Sequence, residues 1–586
     1  MIVLGISETH CATAALLKDG RIVGCASEER WTRLKNDASY PRHAIDGLLQ
    51  ELEISPREID VVALSGSHGA PSPEWQNRVL HDEAYIKEYF GVSLPSRRRT
   101  LEKRVRKWGS KYGLLETSPG KFGISQSERL GRVTEHLGIA SDRIECLDHH
   151  RCHAAAAYWG SGFGGREALV LTSDNSGDGL CATASTGRGF ALDRHEGSPS
   201  SSGSLGSFYS YVTLALGMKF GEHEYKVMGL APYAPDRYAA RAEAAMREVF
   251  ELQEGMPARF RWRARGEPYQ LMLRALVGLR FDWVAAGGQR LLEDLLLRWC
   301  RLMHQRYGGA RLALGGGTFM NVKANMLIGQ EDWVEELFVF PSCGDESNAV
   351  GAAYLGYLQE CARRGLPASP QPLGPAYLGS SVTDEEAEVV IRERRLEAQY
   401  KVAFHDRIEE RIAELLVADG VVARCAGRME FGARALGNRS ILAHPSDHRV
   451  VGRINRMIKN RDFWMPFAPT VLAERAGNYL VNPKGFASPY MMLAMPTRPE
   501  ARDALTAALH PQDATARPQI LQRDWNPEYH AVIRAFERHT GVGAVLNTSF
   551  NLHGEPIVNS AADAVDTFER SGLPHLAVGH WLISKR

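Results

Sequence analysis

Apolar positions near the start of the chain come in short bursts. IVLGIS (2–7) and ATAALL (12–17), then a Lys-Asp-Gly turn and RIVGCAS (21–27), are β-rich runs punctuated by turn residues, and they predict a three-stranded meander. The pattern returns later. ALVLTSD (168–174) leads through a polar, Gly-rich loop into LCATAS (180–185), a TGRG turn and FALDRH (190–195). Cys-Ala-Thr-Ala follows the loop both times, at 11–14 and 181–184, so we read an internal duplication.

Further along, strand patterns give way to helix patterns across turns. RLALGGGTFMNVKANMLI (311–328) reads as a strand, a turn at Gly316 and Gly317, and a helix, an order that lets backbone N–H groups and a helix N-terminus meet phosphate. ELFVFPSCGDESNAVGAAYLGYLQECARR (336–364) reads as strand, acidic turn and helix. With the duplicated meander, these elements predict an α/β first domain of the actin-like ATPase (ASKHA) kind, two related lobes closing over a nucleotide. The Pro-rich GLPASPQPLGP (365–375) marks a boundary, giving domains 1–365 and 366–586. Between the meanders, LPSRRRTLEKRVRKWGSKYG (94–113) is strongly basic. It reads first as a solvated helix or lid, with contact to nucleic acid or a phosphorylated substrate as the alternative.

Composition narrows the class. A chain of 586 residues exceeds one ordinary core, and 44% hydrophobic with 24% charged residues is the balance of a folded globular protein. A net charge of +1 gives no electrostatic case for a nucleic-acid or anionic-membrane partner. The nine cysteines are scattered without a CxxC pair, which excludes a disulfide framework and fits a reducing cytoplasm. MIVLGISETH lacks a basic n-region and no apolar run reaches spanning length, so neither a signal peptide nor a membrane span is expected.

LDHHRCHAAAA (147–157) places His149 and His153 four apart ahead of an alanine run that favours helix, so the two imidazoles share one helix face. That suits one metal or an ordinary helix surface. Asp174 and Asp345 each follow an apolar run beside glycine; in a two-lobed fold both turns face the cleft, where two histidines and two carboxylates suit Fe(II), Mn or Zn. As turn formers they need no metal. His10, at the end of the first predicted strand, is a candidate general base for a hydroxyl nucleophile, with Lys35 and Lys226 as further cleft candidates. GSGFGG (160–165) matches a dinucleotide fingerprint by letters only, because it follows a helix and precedes a strand.

The last third concentrates arginine: GRMEFGARALGNRSILAHP (427–445), INRMIKNRDFWMPFAPTVL (454–472) and ARPQI (516–520), then the polar turn LNTSFNLHGEPIV (546–558). Arginine forks and a lysine among glycines suit a phosphate-rich ligand. These blocks, with LGGGTFMNVKANMLI and HHRCHAAAA, resemble the O-carbamoyltransferases of antibiotic and nodulation-factor biosynthesis, the NodU/CmcH type, over nearly the whole chain.

The resemblance implies an N-terminal domain like the tRNA threonylcarbamoyl transferase and an α+β C-terminal domain like the YrdC threonylcarbamoyl-adenylate synthase. It implies that carbamoyl phosphate and ATP, with Mg(II) accompanying ATP, give carbamoyl adenylate in the C-terminal domain, and that the N-terminal domain carbamoylates a small-molecule hydroxyl. Arg434, Lys459, Arg517 and Ser549 would contact carbamoyl phosphate and adenylate. His149, His153, Asp174 and Asp345 would bind Fe(II); His10 would accept the hydroxyl proton with Lys35 near the adenylate; and Asn321 and Asn325 would flank a nucleotide. One departure stands out: Met465 occupies a position where an arginine is the pattern, which leaves two readings, compensation by Arg461 or a different binding mode for carbamoyl phosphate. A tRNA-modifying fusion and a catalytically silent nucleotide-binding scaffold remain the rival readings. The acceptor and the oligomeric state, homodimer included, stay open.

Overall fold

The structure is a computed structural model and describes residues 1–67, 124–263, 267–418 and 420–586; the basic 94–113 segment lies outside them. Each predicted meander forms the antiparallel half of a five-stranded sheet. In the first, β1 (Ile2–Ser7), β2 (Thr13–Lys18) and β3 (Arg21–Ser27) pair antiparallel, while β4 (Val61–Ser65) and β5 (Ile144–Leu147) extend the sheet in parallel beyond β1. In the second, β6 (Ala168–Gly177), β7 (Leu180–Arg188) and β8 (Ala191–Pro199) repeat the meander. A separate hairpin of β9 (Phe250–Gln253) and β10 (Arg259–Trp262) intervenes before β11 (Arg311–Gly315) and β12 (Glu336–Val339) repeat the parallel extension.

The strand orders, β3-β2-β1-β4-β5 and β8-β7-β6-β11-β12, follow one path. The repeated Cys-Ala-Thr-Ala takes equivalent places in both: Thr13 pairs with Ser7 of β1, and Thr183 pairs with Thr172 of β6. β1 is buried along its whole length, which is why it reads as an unbroken apolar run rather than an alternating one.

Two helices join the sheets. The helix His149–Gly160 starts at Asp148, whose side chain accepts the Arg151 N–H, and its alanines 154–157 are all buried. The helix Ser347–Arg364 crosses it and also covers β1, β2 and β4. Glycines set their separation: a Cβ at Gly351 would lie 1.8 Å from Cys152 O, and one at Gly5 of β1 would lie 2.0 Å from Ala349 O. Only hydrogen fits at either contact.

The Pro-rich segment is strapped down. Gln371 N donates to Gly20 O and Leu373 N to Gly160 O, so it runs along the first part of the chain before the last sheet begins. That sheet has eight strands. In spatial order they are Lys401–Phe404, Trp581–Ser584, His575–Val578, Val422–Cys425, Arg439–Ala443, Ala544–Ser549, Ala468–Leu472 and Gln519–Leu521, mixed parallel and antiparallel. Among the described residues no helix is long and apolar enough to cross a membrane. Because the helix contact at Gly351 has no slack, Gly351→Ala is expected to destabilise the chain by about 1–3 kcal/mol in urea unfolding.

Candidate active site

His149 and His153 stand on one face of their helix, Asp174 lies toward the end of β6, and Asp345 sits in the turn after β12. Folding brings the four together. The two Nε2 atoms are 3.1 Å apart; Asp174 Oδ2 lies 3.3 and 3.6 Å from them, and Asp345 Oδ1 lies 3.5 and 3.6 Å. All four donor atoms fall within 4.8 Å of one another. Atoms each about 2.1 Å from one ion are about 3.0 Å apart at a right angle and about 3.4 Å at the tetrahedral angle, so the set fits a divalent transition metal.

The surroundings fix the ligands. Ser347 Oγ lies 3.1 Å from His153 Nδ1 and leaves Nε2 to face the carboxylates. Burial disfavours the His153 imidazolium, but the hydrogen bonds to Asp174 and Asp345 outweigh it and push the group up to about 9. Gly177 is required where the end of β6, leading into the loop that follows, passes over His149, since a Cβ there would lie 2.0 Å from His149 Cδ2. Asp178 in that loop accepts the His149 N–H at 2.8 Å and the Ser67 N–H at 3.0 Å. His150 turns away, with Nδ1 2.8 Å from Thr172 Oγ1.

Asp174 and Asp345 open onto a cavity of about 610 Å³ that His10, Lys35, Arg434, Lys459, Arg461 and Arg517 also line. Lys459 Nζ donates to Ser549 Oγ at 3.0 Å and to Asn551 Oδ1 at 2.6 Å. Arg461 Nη2 donates to Thr548 Oγ1 at 3.1 Å, and its guanidinium lies over the Phe467 ring. Arg434 Nε is buried with no hydrogen-bond partner. Among the described residues, none of the four cations Arg434, Lys459, Arg461 and Arg517 is ion-paired with a carboxylate. Burial, then the neighbouring Arg461 and Lys35, pull Lys459 well below its usual range; burial, then Arg434 and Arg461, do the same to Arg517. Burial and Arg461 bring Arg434 to about 10. Like charges gathered on one cavity wall, with Lys459 buried and the three arginines half-buried, suit a polyanion.

His10 Nε2 is buried in the same cavity without a hydrogen-bond partner among the described residues. Lys35 Nζ is held 2.9 Å from Glu222 Oε1, and Lys219 Nζ lies 2.6 Å from the other oxygen of that carboxylate. Gly317 lines the cavity and its N–H donates to Asp174 Oδ1 at 3.2 Å. Asn321 lines it too, but its amide is committed to Gln289 and to capping the following helix at Ala324 N.

Gly316, Asn325 and Lys226, nominated from the sequence, stand behind the wall. Gly316 has φ +94°, and a Cβ there would lie 2.3 Å from Ser173 O. Asn325 is fully buried and its amide donates to Phe319 O and Met492 O. Lys226 Nζ is neutralised by Asp462 at 3.1 Å. Met465 faces the cavity, its sulfur 3.3 Å from where a Cβ on Gly229 would sit. Sequence reasoning missed Asp178, Glu222, Arg30 and Glu346. Arg30 is buried and donates to Gly432 O at 2.7 Å, tying the loop after β3 to the arginine-bearing loop. Burial pushes the Glu346 carboxyl up to about 7 against the hydrogen bond from Ser342. SEER and CGDES hold two of these residues, but nothing in their spacing separates them from surface acids and bases.

Comparison with known proteins agrees over most of the chain. A family model described as Carbamoyltransferase N-terminus matches residues 2–354, and one described as Carbamoyltransferase C-terminus matches residues 413–585. An uncharacterized protein of Synechocystis sp. is 30% identical, the alignment covering 100% of this chain and 96% of that protein. Nodulation protein NolNO of Sinorhizobium fredii is 32% identical over 98% of this chain and 79% of its own length. Full-length HypF in its phosphate- and nucleotide-bound form is 11% identical, with a TM-score of 0.32 over 63% of this chain and 56% of that one, a likeness that carries no argument.

Two measurements check the site. In Mn(II) titration calorimetry Asp345→Asn is expected to lose at least ~100-fold in affinity, whereas Ser347→Ala, which only orients His153, loses roughly tenfold. Inorganic pyrophosphate is expected to raise the melting temperature, because an anion relieves the buried repulsion, and Arg517→Ala to shrink that rise by half or more.

Proposed function

The chain belongs to the carbamoyltransferase family, and from that premise we propose that it is an ATP-dependent O-carbamoyltransferase acting on a hydroxyl of a small-molecule natural product. One observation carries the reading: a single cavity is lined by the carboxylates of the metal set, by His10 and by four cations without carboxylate partners.

In this reading carbamoyl phosphate and water give phosphate and carbamate beside Arg434, Lys459, Arg461, Arg517 and Ser549. A carbamate oxygen attacks the α-phosphorus of ATP, which arrives with Mg(II); pyrophosphate leaves, and carbamoyl adenylate forms. The arginine forks and Lys459 hold the phosphoryl oxygens and neutralise the charge that develops on them. The acceptor hydroxyl then attacks the carbamoyl carbon, His10 takes its proton, and AMP departs. Lys35, kept in place by Glu222, faces the charge on the departing phosphate. His149, His153, Asp174 and Asp345 would hold Fe(II) or another divalent transition metal, which supplies Lewis-acid stabilisation of oxygen charge when bound. Gly317 and Asn321 line the nucleotide side of the cavity.

We assign transfer to an actin-like domain of residues 1–365 and activation to a YrdC-like domain of residues 366–586. The identical strand paths of the two five-stranded sheets support the first assignment. All nine cysteines are unpaired, which supports a reducing, cytoplasmic setting. The presence together of His10, both metal-set histidines, both acids and the basic set argues against a silent nucleotide-binding scaffold, and a net charge of +1 favours a small acceptor over tRNA.

Pyrophosphate release that requires both ATP and carbamoyl phosphate tests the reading. His153→Ala is expected to keep that release within about threefold while abolishing carbamoylated product, and Lys459→Ala to cut the release by ~100-fold or more. Absence of carbamoyl-phosphate-dependent release from the Fe(II)-loaded chain would overturn it.

A further inference from the structure

Ser342 lies in the turn between β12 and Asp345, buried at 2% exposure, and it adopts φ +51°. A non-glycine residue in that left-handed region is strained, and such strain persists where surrounding contacts require it. Glycine would adopt the same backbone without cost, so the contacts that hold this serine are those of its hydroxyl.

Ser342 Oγ makes two hydrogen bonds, one to each of two segments that line the cavity. It donates to Glu346 Oε1 at 2.5 Å, one residue beyond the metal-set carboxylate Asp345. It accepts the Ala433 N–H at 3.0 Å, one residue before Arg434. Gly432 lets the two loops close, with φ +94° and a hypothetical Cβ 2.6 Å from Ser342 Cβ. One hydroxyl therefore spans the turn that presents Asp345 and the loop that presents Arg434, two segments some ninety positions apart in the chain.

We propose that Ser342 is a positioning residue that locks the Asp345 turn to the Arg434 loop, so that occupancy of the metal set and occupancy of the basic anion site are coupled through its hydroxyl. The proposal rests on the reading of these two clusters as the transfer and activation sites. Binding at one cluster shifts its loop, the Ser342 bridge carries the shift, and the affinity at the other changes by the same factor in either direction.

Two variants separate the hydroxyl from the backbone. Ser342→Gly relaxes φ and removes both hydrogen bonds; Ser342→Thr keeps the hydroxyl and adds β-branch strain. Calorimetric titration of inorganic phosphate into the full chain, with and without saturating Mn(II), reads the coupling. The wild-type chain is expected to change its phosphate affinity by at least ~5-fold on Mn(II) binding. Ser342→Thr should keep that factor despite a lower melting temperature, and Ser342→Gly should reduce it to within about twofold of unity despite an equal or higher one.

Equal coupling in the glycine variant would mean that the two charges communicate through space, and would overturn the proposal. So would coupling that follows melting temperature instead of the hydroxyl, or none in the wild-type chain. These titrations need no turnover. A chain that couples phosphate to Mn(II) through Ser342 yet releases no carbamoyl-phosphate-dependent pyrophosphate would refute the proposed reaction and leave the Ser342 bridge standing.

Discussion

The backbone contact between the helices His149–Gly160 and Ser347–Arg364 is the constraint on which the site depends. Gly351 meets Cys152 O with room for nothing larger than hydrogen, and Cys152 is the neighbour of His153. That closeness carries Ser347 to His153 Nδ1 and Asn348 to within hydrogen-bond reach of His153 Nε2, with Asp345 just ahead of the same helix. A wider crossing would leave two histidines facing a gap. Close packing here defines donor geometry as well as contributing stability.

Charge then divides the cavity. One side presents carboxylates answered by imidazoles; the other presents cations answered by hydroxyls, amides and an aromatic face, none of which neutralises them. Such a cluster is costly in an apolar interior and becomes favourable only with anions present. Lys35 and Lys226 show the contrast: each has a carboxylate partner, Glu222 and Asp462, and so contributes position more than free charge. The proposed chemistry uses this division: phosphate on the side where cations have no carboxylate partner, and a hydroxyl proton on the side where His10 Nε2 has no hydrogen-bond partner among the described residues.

The two halves of the chain share an apolar core that runs from Val3 to Ala544, and at the cavity small polar links are added to it. Arg30 reaches Gly432 O, Arg33 reaches the carbonyls of Pro556 and Ile557, and Ser342 reaches Ala433 N. These bonds are directional, so they fix the orientation of one wall against the other where an apolar contact would allow sliding. The shared core holds the two walls together, and the hydrogen bonds at their seam set how the two clusters face each other.

The amino-acid sequence by itself determined the elements and the ligand types. Apolar bursts and turn residues placed the meanders, the repeated Cys-Ala-Thr-Ala marked two equivalent ladder positions, and the spacing of His149 and His153 put both rings on one helix face, because strand and helix periodicities are local properties of the chain. Asp174 and Asp345 were legible as strand-end acids; only the tertiary structure decided that their oxygens reach both imidazoles, and which cations stand without a carboxylate among the described residues. It moved Asn325 and Lys226 out of the cavity by giving them carbonyl and carboxylate partners, brought Glu222 to its lining, and set Asp178 and Ser342 behind the lining as supports, all three from loops whose sequence carries no such signal. Those choices depend on distances between segments far apart in the chain, and such distances are set by how backbones pack, which periodicity cannot encode.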